Sequence, residues 1–330
     1  MANNSRLAAR SSQLFQNMEK MDNKILGLHH ITAIAGAAKQ NHAFYTKVLG
    51  LRMVKKTVNF DDPGTYHFYY GDEVGSPGTI LTFFPWERVR KGKNGPGMAT
   101  EIAYSIPNGS LHFWLTRFGE YDVKINGTGT RFGEQFVEFE DPDGLQLALI
   151  LPAATDTRKP WETQAVNESV AIRGFHSVSL SLRNSKATAG ILTDIFDYKL
   201  VGKEGKRSRY TTNTVSNANS IDLIEVAGNG ETINAGGTIH HIAFRVKNED
   251  VLMDFREKIL KKGYNITPKI DRNYFFSLYF REPGGVLFEL ATDNPGFSID
   301  ESVSELGKRL KLPAQYEKNR QQIEQALPEI

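Results

Sequence analysis

The chain has no cysteine. Disulfides, zinc–thiolate centres, iron–sulfur clusters and cysteine nucleophiles are therefore excluded, and any transition metal must be held by His, Asp or Glu. No apolar run approaches the length that spans a bilayer. An excess of one charge is also missing: 40 Lys and Arg stand against 38 Asp and Glu, a formal net charge of +2. That balance gives no case for nucleic acid or a membrane surface as partner. There is no P-loop and no dinucleotide fingerprint. The stretch 1–24 is polar and lacks the apolar core of roughly 7–15 residues that a secretory signal needs, so it is read as a disordered leader. The absence of thiols fits a reducing cytoplasm, and a cytoplasmic location is expected.

What remains is 330 residues, 40% hydrophobic and 24% charged, the profile of a globular chain long enough for two domains. Self-similarity sets the architecture. Glu101-Ile102-Ala103-Tyr104-Ser105-Ile106 matches His241-Ile242-Ala243-Phe244-Arg245-Val246, and both alternate with period two as half-buried strands do. Each is followed by a helical stretch, 110–120 or 249–262, and then by a closing hairpin, Phe139 to Leu149 or Phe280 to Leu290. Two further copies start at His30 and at Phe175-His176-Ser177 and end at 78–84 and 221–226. The expectation is an α+β fold of four β-α-β-β-β units, paired into two domains with cupped, barrel-like mixed sheets and helices outside. The boundaries read as 25–152 and 172–292, with a linker over 153–171 and a helical tail over 293–330 whose helices cover 303–311 and 314–326.

Two units carry a His-His pair at the same register, His29-His30 and His240-His241, and the last unit ends in a glutamate between Phe288 and Leu290. Strand alternation puts Ile242, Phe244 and Val246 under the helices and turns His241, Ala243 and Arg245 into the cup. The same parity turns His30 and Thr32 inward. A buried carboxylate is costly without a partner. A metal held by His30, His241 and Glu289 is one such partner; an arginine is the other. Two His and one carboxylate form the ligand set that suits non-haem Fe(II), and Mn(II) accepts the same donors. The equivalent positions of the other units hold Glu101 and Ser177, and at the place of Glu289 they hold Ala148, Glu225 and roughly Thr82. One metal centre is therefore expected between units one and four, and a vestigial cavity between two and three.

These stretches, together with Val54-Lys55-Lys56-Thr57-Val58-Asn59-Phe60-Asp61-Asp62, Pro77-Gly78-Thr79, Thr130-Arg131-Phe132-Gly133 and Arg173-Gly174-Phe175, resemble the vicinal oxygen chelate (glyoxalase and extradiol dioxygenase) superfamily. Within it, the chain is most similar to the bacterial hydroquinone ring-cleaving dioxygenases. The resemblance implies Fe(II), O2 and a small aromatic diol, a role in aromatic catabolism, metal ligands at His30, His241 and Glu289, and supporting residues at Thr32, His240, Arg272, Tyr279 and His29. Tyr279 would donate a proton, Arg272 would hold an anionic oxygen or the distal hydroxyl, and His240 would shuttle protons. Plainer roles stand beside these: a core aromatic for Tyr279, a surface ion pair for Arg272, a backbone-bonded strand end for His240. The aromatic run Tyr274-Phe275-Phe276 fits either a ring pocket or ordinary core. Two other functions share the fold, a glyoxalase-type isomerase or lyase and a non-catalytic quinone- or drug-binding protein. Assembly into a homo-oligomer is left open.

Overall fold

The computed structural model describes residues 23–228 and 231–330, so the leader expected over 1–24 lies outside the described residues except for its last two. Four units follow one another. The first is β1 (Leu28–Ala35), α1 (Ala38–Ala43, prolonged by a π-turn over Phe44–Val48), β2 (Arg52–Val58), β3 (Tyr66–Gly71) and β4 (Ile80–Pro85). The second is β5 (Met98–Ser105), α2 (Leu111–Glu120), β6 (Ile125–Arg131), β7 (Glu134–Glu140) and β8 (Gln146–Ile150). The third is β9 (Gly174–Leu182), α3 (Lys186–Asp194), β10 (Lys199–Glu204), β11 (Arg207–Thr211) and β12 (Ser220–Glu225). The fourth is β13 (Thr238–Val246), α4 (Glu249–Lys261), β14 (Ile270–Asp271), β15 (Phe275–Arg281) and β16 (Leu287–Pro295).

In every unit the first strand pairs in parallel with the last, and the two middle strands extend outward from it. Two mixed sheets of eight strands result, ordered β14-β15-β16-β13-β1-β4-β3-β2 and β10-β11-β12-β9-β5-β8-β7-β6. Units one and four thus share one sheet, joined antiparallel at β1–β13. Units two and three share the other, joined at β5–β9. Each half of the chain gives one unit to each sheet.

Alternation along the central strands separates two apolar environments. Ile242, Phe244 and Val246 join Leu252, Phe255 and Ile259 of α4 on the helix side, as their parity requires. On the cup side a smaller cluster gathers Val54, Tyr69, Ile80, Ala243, Tyr274, Phe275, Ala291 and Phe297. The first strand of the chain is buried along its whole length because both of its faces are covered.

The tail departs from expectation. Strand β16 continues to Pro295, and the segment 303–311 is not a helix. After 3-10 turns at Phe297–Ile299 and Val303–Glu305, Gly307 takes a left-handed backbone (φ +77°) with its Cα against the Met53 carbonyl, where a Cβ would lie 1.9 Å from that oxygen. A glycine pinned on a neighbouring strand ends helical propagation. Leu310 then bridges Lys56, and Lys311 N–H donates to the Lys56 carbonyl at 2.9 Å. Helical structure returns as a 3-10 turn at Ala314–Asn319 and as α5 (Arg320–Ala326). The tail is also tied down by Lys55, whose buried ammonium meets Asp300 at 2.6 Å and Glu301 at 2.5 Å. Among the described residues no helix is long and apolar enough to cross a membrane.

Candidate metal centre

Strand register brings the three expected ligands together. Ala243 of β13 is in register with His30 of β1 on one side and with Glu289 of β16 on the other. Its methyl group leaves room above it for both side chains. His241 lies two residues back on the same face, opposite Thr32. His30 Nε2 is 3.1 Å and His241 Nε2 2.8 Å from Glu289 Oε2, and one donor atom from each residue lies within 4.8 Å of the others. All three are buried, Glu289 completely. Neither imidazole meets it in hydrogen-bond geometry, so both carboxylate oxygens are buried without a donor. Such a group costs several kcal/mol unless a cation compensates it (~1–3 kcal/mol, more when charged). Burial pushes the Glu289 carboxyl up, but His30 and His241 outweigh that and hold it well below the usual carboxylate range. Burial lowers His241, with Glu289 opposing. Two histidines and a carboxylate on neighbouring strands can therefore hold one divalent ion and leave its outer face open.

The preceding histidines set the tautomers. His29 Nε2 lies 3.1 Å from the Thr292 carbonyl, which only accepts, so this nitrogen carries the proton. Burial, and then the neighbouring His30, hold His29 well below its ordinary pKa, and in the neutral ring Nδ1 is an acceptor. It meets His30 Nδ1 at 2.9 Å, so His30 Nδ1 donates and His30 turns its Nε2 toward Glu289. His240 Nδ1 stands in the same relation to His241 Nδ1, at 2.7 Å. Each first histidine of the pair orients the second from behind, as outer partners of metal-ligating imidazoles do.

A cavity of about 290 Å³ opens beside these donors. It is lined by Thr32, His240, Arg272 and Tyr279, four of the residues expected from sequence, whereas the fifth, His29, sits behind His30. Arg272 Nε and Ser277 Oγ both donate to the Tyr279 hydroxyl oxygen at 3.3 Å, which leaves the phenol hydrogen free for the cavity. Tyr279 stands edge-on to the His241 ring at 5.6 Å. Burial, then the Glu289 charge, push its phenol up, so it stays protonated at neutral pH. Phe275 lines the cavity and packs on His30 at 4.9 Å, while Tyr274 lies behind it, stacked on Phe297.

His67 and Tyr69 were not foreseen. Both project into the cup from β3. His67 bonds Thr82 Oγ1 at 3.0 Å and the Tyr69 hydroxyl at 2.9 Å, and Thr82 in turn bonds Thr32 at 2.8 Å. The signal was available as alternation in Tyr66-His67-Phe68-Tyr69-Tyr70, where 67 and 69 share the face opposite Phe68. Phe60, Phe84 and Trp86 complete an aromatic wall, with Asn59 and Asp61 also in the lining.

Among the described residues the second cup holds no comparable set. Glu101 and Ser177 stand at the places of His241 and His30, as expected. The residue equivalent to Glu289 in unit three is not Glu225 but Asp222, which pairs with Ser179 as Glu289 pairs with Ala243. Glu225 accepts from the backbone and hydroxyl of Ser185 at the start of α3. Arginines fill this cup: Arg209 clasps Asp222 at 2.8 and 3.0 Å and reaches Glu134 at 2.8 Å. Arg207 bridges Asp222 and Ser179, and Arg131 binds Glu101 at 2.7 Å.

Comparison with known proteins matches residues 27–149 and 174–290 to the Glyoxalase/Bleomycin resistance protein/Dioxygenase superfamily. The chain belongs to this superfamily. It is 45% identical over 308 residues to the Bacillus subtilis (strain 168) protein named "Putative ring-cleaving dioxygenase MhqO", covering 93% of this chain and 97% of that one. It is 34% identical over 306 residues to the chlorohydroquinone/hydroquinone 1,2-dioxygenase of Sphingobium indicum, covering 91% of this chain and 95% of that one. A crystal structure titled as a putative dioxygenase from Bacillus subtilis superimposes with a TM-score of 0.89 at 45% identity, over 93% of this chain and 98% of that one. Glyoxalase I from Zea mays shares the superfamily fold at a TM-score of 0.59 and 15% identity, over 81% of this chain and 92% of that one.

Proposed function

We propose that the chain is an Fe(II)-dependent ring-cleaving dioxygenase acting on a hydroquinone or catechol-type aromatic diol, with Mn(II) the other metal these donors accept. The observation that carries the reading is the completely buried, donor-free Glu289 carboxylate facing two imidazoles at one end of an aromatic-walled cavity. The full-length similarity to proteins named as ring-cleaving and hydroquinone dioxygenases supports it.

His30, His241 and Glu289 would hold the ion, which when bound supplies a Lewis acid that acidifies a phenol and couples the diol to O2. The chain's own residues do the rest. Phe60, Phe84 and Trp86 bind the ring and keep water away from it. The free hydrogen of Tyr279 is aimed at oxygen in the cavity, and the adjacent Arg272 guanidinium stabilises negative charge there. Thr32, held by the Thr82–His67–Tyr69 chain, offers a fixed hydroxyl, and His240 brings its imidazole to the cavity lining. For a para-diol, Asn59 and Asp61 are the groups suited to the distal hydroxyl.

Unit one offers Thr82, not an acid, in register with Thr32, so the fourth protein ligand of a glyoxalase-type isomerase is missing from that strand. The test is O2 uptake with methylhydroquinone and a panel of catechols after anaerobic loading with Fe(II). Stoichiometric O2 consumption with ring-opened product is expected. Isomerisation of a hemithioacetal without O2, or diol binding without turnover, would replace the proposal by one of the other two readings.

A further inference from the structure

A second cleft, about 360 Å³, lies on the other side of the metal-binding wall. It shares His240, His241 and Leu287 with the diol cavity, so these three residues form a partition between the two spaces. Two guanidinium groups line it and, among the described residues, no Asp or Glu does. Arg281 ends β15 directly across from Leu287, and one of its N–H groups donates to the Gly285 carbonyl, leaving the rest of its fork for the cleft. Arg183 follows β9, is exposed, and has no ion-pair partner among the described residues. The nearest acid in sequence, Glu282, is turned into its own hairpin, where Thr188 and the backbone N–H groups of Gly284 and Val286 occupy it.

Ring cleavage changes the charge of the molecule being handled. A diol is neutral. Adding both atoms of O2 across a ring C–C bond converts the hydroxyl-bearing carbon to a carboxylic acid and its neighbour to an aldehyde, with every atom retained, O2 reduced and the two carbons oxidised. At neutral pH the acid gives its proton to water. An aromatic cavity suits the neutral ring, and its one guanidinium, Arg272, is already bonded to Tyr279. An acid-free cleft with two arginines suits the carboxylate.

Resting on the ring-cleaving reading above, we propose that the Arg183–Arg281 cleft is a carboxylate subsite that receives the ring-opened acid once it has left the diol cavity, with His240, His241 and Leu287 standing between the two spaces.

The probe is sorbate, a six-carbon unsaturated monocarboxylate, with 2,4-hexadien-1-ol as its neutral counterpart, titrated against the full-length protein by calorimetry. In the double variant R183E/R281E sorbate should bind at least 10-fold more weakly while the alcohol binds as before; R183K/R281K should keep most of the sorbate affinity. In turnover with methylhydroquinone, the ratio of the single-turnover ring-opening rate to steady-state kcat should rise about 5-fold or more in the charge-reversed protein, because release is slowed relative to chemistry. Unaltered sorbate affinity, or an unaltered ratio, would overturn the assignment. Absence of O2 uptake by the unmodified protein with any diol would instead overturn the dioxygenase reading, and the sorbate titration would still decide the cleft.

Discussion

The two cups share one topology and solve the problem of a buried carboxylate in opposite ways. In the cup of units one and four, Tyr279 stands in register with Glu289; in the cup of units two and three, Arg209 stands in register with Asp222. Among the described residues, Glu289 has imidazoles within ion-pair distance and no guanidinium, whereas Glu101 and Asp222 are met by Arg131, Arg207 and Arg209. One cup is electrostatically complete without a ligand. The other sets a buried carboxylate without a hydrogen-bond donor beside two imidazole nitrogens, an arrangement that could hold a cation. A few side chains at equivalent strand positions separate a structural ion-pair cluster from a candidate reaction centre.

This contrast can be tested from both sides. Asp222→Ala strands Arg209 and Arg207 in the second cup, and breaking a buried pair costs about 3–5 kcal/mol. Urea unfolding should show that loss, while metal stoichiometry per folded chain stays the same; a loss under 1 kcal/mol would mean that water reaches the cluster. His241→Ala should act in reverse, lowering Fe(II) affinity more than about 100-fold, beyond the roughly 10–100-fold typical of removing an outer partner, with the fold retained. Full iron content by elemental analysis would refute the ligand assignment. Tyr279→Phe removes the hydroxyl, with both its hydrogen and the oxygen that accepts from Arg272 and Ser277, so kcat should drop about 10–100-fold at unchanged metal content; an unchanged kcat would return Tyr279 to the role of a core aromatic.

The smallest effect is on pH dependence. Burial raises Glu134, but the hydrogen bond and charge of His176, the Ala153 N–H and Arg209 outweigh it and bring it down to about 2. Its folded pKa is depressed, so its contribution is present above the ordinary value near 4.5 and is lost as the pH falls from there toward 2. Acid unfolding followed by circular dichroism should show a shoulder in that window that Glu134→Gln removes. Persistence of the shoulder in the variant would assign it to another carboxylate.

Much of this was legible in the residues themselves. Period-two alternation in His241 to Val246 and in Glu101 to Ile106 identified first strands and their inward faces, and the paired histidines at one register marked the cup that matters. What was not legible was register between strands. Asp222 and Glu225 are three apart in one strand and so lie on opposite faces; only the parallel pairing with β9 decides which is equivalent to Glu289. His67 was hidden for a related reason, because its strand lies two removed from β1 in the sheet and reaches the site by curvature. The helix expected over 303–311 fails because a tertiary contact, Gly307 against Met53, overrides local propensity.

The exchange of units between chain halves has a bearing on how the protein comes into being. His30 and Glu289 are 259 positions apart (289 − 30), so all the chain between them must leave the ribosome before the two can meet. A metal ion held as proposed by His30, His241 and Glu289 could not template the nascent N-terminal portion, and contacts of such sequence separation form slowly. A protease cut between Pro152 and Ala171 would yield two fragments with complementary shares of the ligands, His30 on one and His241 with Glu289 on the other, so that recovered iron capacity on mixing would report their reassembly.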